Sequence, residues 1–161
     1  QVVTTAGPAE KVALCRALGA HVAVSYRDED WVAATLDATN GRGADVILDI
    51  MGAAYLERNV NALATGGRLV IIGLQGGTTA ELNLSALLTK RATIHATSLR
   101  SRPLAEKAEI CSAVVAGLWP LIAAGKVEPV IHTTLRMNQV AEAHLLVANN
   151  EHIGKVLLTT A

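Results

Sequence analysis

The residues that could do chemistry stand just past short aliphatic runs. Thr4-Thr5-Ala6-Gly7 follow the first run and include no carboxylate. A carboxylate there is what usually grips the ribose hydroxyls of a dinucleotide lacking a 2′-phosphate. Small Thr5, bare Gly7 and the nearby amine of Lys11 would let a 2′-phosphate approach, and lysine is a compact point charge suited to it. Taken alone, Lys11 reads as a solvated helix residue before it reads as a phosphate ligand. Asp49-Ile50-Met51-Gly52 follow the third run, where a glycine permits close backbone approach of a ligand or simply turns the chain into a helix. Ile71-Ile72-Gly73-Leu74 and Thr97-Ser98-Leu99-Arg100 repeat the pattern past the fourth and fifth runs. Open α/β sheets bind ligands beyond the carboxyl ends of their strands. Three successive small tips make a floor for a flat dinucleotide, and the acid-free first tip with Lys11 points to NADP.

Other chemistry finds little support. The two cysteines, Cys15 and Cys111, fall in apolar helical patterns and read as core thiols. No cysteine cluster has zinc spacing, no triad stands out, and the five histidines (His21, His95, His132, His144, His152) are scattered. Arg100-Ser101-Arg102 reads as a solvated loop before it reads as a phosphate clamp. Lysine plus arginine equal aspartate plus glutamate at 14 each, which argues against a basic nucleic-acid surface. Charged residues, Gly or Pro interrupt every apolar stretch before membrane-span length.

The elements that must position these residues follow from pattern. At 51% hydrophobic and 17% charged, the chain has a core to build. Phe is absent and Trp and Tyr number two each, so that core is expected from Val, Ile, Leu and Ala. Strands are expected over 2–5, 21–26, 45–50, 68–73, 93–97, 130–135 and 155–160. Helices are expected over 11–18, 29–39, 55–64, 85–91, 103–124 and 138–148. Gly19 stops the first helix, Asp28 or Asp30 caps the second, and Gly66-Gly67 turns into the fourth strand. Strands alternating with helices mean βαβ units and a parallel sheet. The character changes near Glu128, so one unit is expected over 1–127 and a second over 128–161. A start at Gln1 in mid-pattern, with no signal peptide, suggests a cytoplasmic protein of which this is a piece.

Six runs carry a resemblance: Thr4-Thr5-Ala6-Gly7 with Glu10-Lys11; Cys15 to Ala20; Ile47 to Gly52; Gly66 to Val70; Ser98-Leu99-Arg100-Ser101-Arg102; and Ile153 to Leu158. In their order they resemble the zinc-independent quinone oxidoreductase branch of the medium-chain dehydrogenase/reductases, with the Ser-Leu-Arg-Ser-Arg stretch similar to the p53-inducible group. The resemblance implies a Rossmann-like NADP-binding domain, with residues 128–161 returning to a GroES-like catalytic domain. It implies that Lys11 binds the 2′-phosphate and Tyr26 the adenosine, alongside Thr5, Gly7, Met51 and Gly52. The backbones of Ile72, Gly73, Leu74, Ser98 and Leu99 would follow the nicotinamide half, and Lys155 would return to the cleft.

It further implies hydride transfer from NADPH to a quinone or enone with no side-chain nucleophile. A homodimer is expected through the edge strand near Thr93–Thr97. The family's first strand and glycine-rich turn have no counterpart here, nor has the rest of the catalytic domain. The 161 residues alone are therefore expected to bind NADPH poorly, not to turn over, and to expose apolar surface. An enoyl reductase of the same superfamily is the neighbouring alternative. A crystallin-like structural protein, a methyltransferase and a stand-alone regulatory domain are the alternatives from other classes.

Overall fold

The computed structural model describes residues 1–160; the last residue of the expected tail, Ala161, lies outside them. The chain forms two compact units, Gln1–Ser101 and Arg102–Ala161. The first alternates β1 (Val3–Ala6), α1 (Ala9–Ala17), β2 (Val22–Ser25), α2 (Trp31–Ala38), β3 (Ala44–Asp49), α3 (Leu56–Ala62), β4 (Leu63–Ile71), α4 (Leu84–Lys90) and β5 (Thr93–Ala96). The second holds α5 (Leu104–Ala123), β6 (Ile131–Arg136), α6 (Val140–Ala148) and β7 (Lys155–Thr159). The long helix α5 thus falls within the second compact unit.

Every strand pair is parallel, as alternation with helices requires. The strands form three sheets and not one: β1 with β2, β3-β4-β5, and β6 with β7. Each local signal acts by ordinary chemistry. Gly19, at φ +101°, takes the left-handed stop after α1, a conformation glycine adopts without steric cost. Asp30 caps α2, its carboxylate accepting the Val32 N–H at 3.0 Å.

Gly66-Gly67 does not precede β4 but lies inside it. The strand already pairs at Ala44↔Leu63, slips register, and resumes at Val46↔Arg68. A side chain at Gly67 would come within 3.0 Å of the Ala44 carbonyl and 2.9 Å of that of Ala64, so the irregular ladder requires a glycine there.

The core of the first unit is aliphatic as expected, with Val12, Val24, Val60, Leu63 and Leu69 buried, and one aromatic ring joins it. Trp31 is buried and packs with Val24 and Ala62, with Ile47 and Tyr55 against them. Its ring stacks on Tyr55 at 5.6 Å, and the Arg58 guanidinium sits 4.7 Å above it. One large ring thus packs among the aliphatic side chains. The cysteines depart from expectation: Cys15 is half-buried and Cys111, on α5, is exposed. That helix buries none of its side chains, so an apolar helical pattern did not by itself mean burial. Among the described residues no helix is long and apolar enough to cross a membrane.

Candidate functional site

The strand tips of the first unit gather in two groups, built in different ways. At the β3–β4 tip the work is done by backbone. The buried Asp49 carboxylate accepts the N–H of Met51 at 3.0 Å and of Gly52 at 2.7 Å, fixing the turn that leaves β3. Five backbone bonds then clasp the tips together: Ile72 N–H to Asp49, Gln75 to Ile50, Gly76 to Met51, Ala53 to Gly77 and Ala54 to Gly76, all between 2.7 and 3.2 Å.

This clasp explains the glycines. A Cβ on Gly52, at φ +72°, would lie 2.7 Å from Leu74 Cδ2 and 2.9 Å from the Gly77 carbonyl. One on Gly73 would lie 2.8 Å from the Ile50 carbonyl. The space kept by these glycines is taken by the neighbouring loop of the protein itself. Met51, Gly52, Ile72, Gly73 and Leu74 are thereby brought together as the sequence expected, with the Ile72 and Leu74 side chains exposed. β5 joins them through the Thr97 N–H, which donates to the Ile71 carbonyl at 3.1 Å. Ser98 and Leu99 follow one and two residues on, both exposed.

At the β1–β2 tip the work is done by side chains. Thr5 stands within β1, and Gly7 just past it is buried. A Cβ there would lie 2.7 Å from the Tyr26 hydroxyl and 3.2 Å from Arg27 Nε. Tyr26 and Gly7 are thus neighbours, as anticipated, and Arg27 is a second cation at the same tip that sequence reasoning passed over. The signal for it was its place directly after Tyr26, at the end of β2.

Two carboxylates were also missed as members of this tip. The Ser25 hydroxyl lies 2.8 Å from Asp28 Oδ2 and 3.2 Å from the Gly7 carbonyl, while the Ser25 N–H donates to Glu29 Oε1 at 2.8 Å. The spacing Ser25-x-x-Asp28-Glu29, a polar turn after a strand, was the readable sign of them. Lys11 is half-buried on the first turn of α1, and its N–H donates to the Pro8 carbonyl at 3.0 Å. Lys155 opens β7 in the second unit, its N–H donating to the Val130 carbonyl at 2.8 Å.

Between β1 and β3 the first unit holds a slot of about 760 Å³. Val2 to Thr5 line it from β1 and Ala44 to Met51 from the β3 side, above Trp31 and Asn59. It runs along the strands, whereas the residues expected to meet a cofactor stand at and beyond the strand ends.

Parallel strands with connecting helices and glycine-turned tips define a Rossmann-like dinucleotide-binding fold. Comparison with known proteins places it further: the family model for zinc-binding dehydrogenases matches residues 18–158. The chain belongs to this family and corresponds to the C-terminal part of its quinone oxidoreductase-like, medium-chain dehydrogenase/reductase members. It is 28% identical over 159 residues to a phenolphthiocerol/phthiocerol polyketide synthase chain of Mycobacterium tuberculosis, covering 99% of this chain and 7% of that one. It is 29% identical over 157 residues to a probable quinone oxidoreductase of Schizosaccharomyces pombe, covering 98% and 46%.

Among solved structures, an NAD-dependent alcohol dehydrogenase superposes with a TM-score of 0.82 at 30% identity, covering 100% of this chain and 44% of that one. The mycobacterial protein Rv1454c, solved in complex with NADPH, superposes with the same score at 23% identity, covering 98% and 49%. The chain thus spans less than half the length of these relatives. Zinc needs three or four converging donors, and no group of three His, Cys, Asp or Glu side chains converges among the described residues. The donor set present does not fit a zinc site, and no step is assigned to one.

Proposed function

We propose that this chain is the nucleotide-binding part of an oxidoreductase that uses NADPH to reduce a quinone or a related enone. The observation that carries the reading is the β1–β2 tip. There Gly7, Tyr26 and Arg27 converge within 3.2 Å of one point, and β1 itself ends without a carboxylate. An exposed phenol and a guanidinium beside a bare glycine fit a phosphorylated ribose, with Lys11 of α1 as the charge that receives the 2′-phosphate and Thr5 at the strand end.

Bound NADPH supplies the hydride. This chain's residues bind and orient it: Tyr26 holds the adenosine end, while the backbones of Met51, Gly52, Ile72, Gly73, Leu74, Ser98 and Leu99 fix the nicotinamide half.

In the intact protein, Lys11→Ala should weaken NADPH binding by roughly 10- to 100-fold, the worth of a charge-assisted hydrogen bond, and barely change NADH binding. Titration of both cofactors checks this, and an equal loss for the two removes the 2′-phosphate role.

A second reading has its own observation. The Asp28 carboxylate, 2.8 Å from Ser25 Oγ, is close enough to the tip to serve an unphosphorylated ribose, as the NAD-dependent structural relative suggests. Under that reading Asp28→Asn costs NADH affinity and Lys11→Ala costs neither cofactor much.

The proposed protein is a cytoplasmic homodimer. β5 forms one edge of its sheet, and an open edge is stabilised by pairing with a copy of itself. Ala96→Pro in β5 removes a backbone donor from that edge, since the N–H groups of Thr97 and His95 turn inward to β4. It is expected to convert the dimer to monomer in sedimentation while leaving the fold's circular dichroism intact.

A further inference from the structure

We propose that Asp49 is a positioning residue for hydride transfer, its buried carboxylate favouring the oxidised, cationic nicotinamide ring over the neutral reduced one. The proposal rests on the functional reading above, in which the Met51 and Gly52 backbones fix the nicotinamide half.

Asp49 closes β3 and is 4% exposed. Its Oδ1 accepts the Met51 N–H at 3.0 Å and its Oδ2 the Gly52 N–H at 2.7 Å. Both oxygens act as acceptors, as those of an ionised carboxylate do. Among the described residues no cationic side chain pairs with it.

Holding the turn does not by itself call for this residue. The two N–H groups open the turn Gly52–Tyr55 that leads into α3, and neutral Asn or Ser caps such an end about as well as Asp. A carboxylate adds the cost of burying a charge, which folds rarely accept without a partner. The other caps of the first unit avoid that cost. Asn83 is neutral and caps α4 through the Ala86 N–H at 3.1 Å. Asp30, which caps α2, is exposed and lies 3.4 Å from Arg58. Asp49 is acidic, buried and without a cation.

The missing cation is one that the reaction makes. A hydride, one proton with two electrons, leaves C4 of the neutral dihydronicotinamide for the quinone or enone. The ring left behind is a pyridinium bearing one positive charge, and a proton from solvent completes the reduced acceptor. An anion already fixed at the same strand tip stabilises that charge as it develops, with no reorganisation at the moment of transfer. Two unit charges about 10 Å apart, at an effective dielectric near 20, shift an equilibrium by roughly tenfold. The side chains of Ile72 and Leu74 stand exposed at this tip, and a ring lying over them keeps water from screening the pair.

The test is the affinity of the intact protein for NADPH and for NADP⁺, titrated separately in wild type and in Asp49→Asn. The variant should bind NADP⁺ roughly tenfold more weakly relative to NADPH, which raises the potential of the bound couple by about 30 mV for two electrons. Gly52→Ala is the geometric control. It crowds the same turn without changing charge, so it should weaken both forms by the same factor. An affinity ratio in Asp49→Asn within about twofold of wild type overturns the inference, and so does a ratio that moves as far in Gly52→Ala. If Asp49→Asn does not fold, Asp49→Ser keeps a neutral cap and carries the same expectation. A wild type that binds neither nucleotide removes the functional reading and this inference with it. One that binds both, with the ratio unmoved in the variant, removes this inference alone.

Discussion

The two strand tips of the nucleotide-binding unit solve one problem by different means. At β3–β4, five backbone hydrogen bonds and a buried Asp49 hold the loops, and glycines exist there because the loops touch. At β1–β2, a serine, a tyrosine, an arginine and two acids meet around Gly7. Backbone clasps give rigidity that is indifferent to most side chains but intolerant of any Cβ at the contact. Side-chain clusters tolerate backbone variation but read charge. Under the proposed function, the first would serve as a platform for a flat ring and the second would discriminate between phosphate and hydroxyl.

The sharpest break of that contrast is Gly52→Ala in the intact protein. Left-handed strain and a contact of 2.7 Å to Leu74 act together, and a loss of about 2–4 kcal/mol in urea unfolding is expected. A loss below about 0.5 kcal/mol would mean that the clasp yields and the platform is soft.

Ser25→Ala should cost less, about 1 kcal/mol, since one hydroxyl network is lost at a buried position. It should also shift cofactor affinity. A stability loss for Ser25→Ala as large as that for Gly52→Ala would erase the distinction between the tips.

The smallest effect belongs to Asp30, below the same sheet. Its carboxyl is held below the usual carboxylate range, first by the Val32 N–H and then by the Ala33 N–H and Arg58, against a counteracting desolvation. A lowered folded pKa contributes stability above the unfolded value, and that contribution is lost as pH falls through the folded one. Asp30→Asn, which keeps a cap acceptor, should flatten the acid limb of stability below about pH 4 and leave neutral pH almost unchanged. Thermal melts across pH would show it.

Element type and order were legible because each signal is local. Short aliphatic runs, Gly19 and Asp30 each act within a few residues, and β1 to β7 stand within a few positions of expectation. Gly66-Gly67 was misplaced because a register slip is defined by the partner strand, which a single run does not reveal. The site was legible to the same depth: the tips were located, but Arg27, Asp28 and Glu29 were not, since their membership depends on β2 lying beside β1.

The amino-acid order therefore decided which segments become strands, where each ends, and that the ends are small, because backbone geometry and burial of alternating side chains are dictated within one turn or one pleat. Tertiary structure decided which ends become neighbours, why their glycines are obligatory, that one tryptophan joins the aliphatic core, and that β1 and β3 leave a strand-wide opening. Those are facts about pairs of residues far apart in the chain, and contact across that separation is settled only when the whole sheet closes.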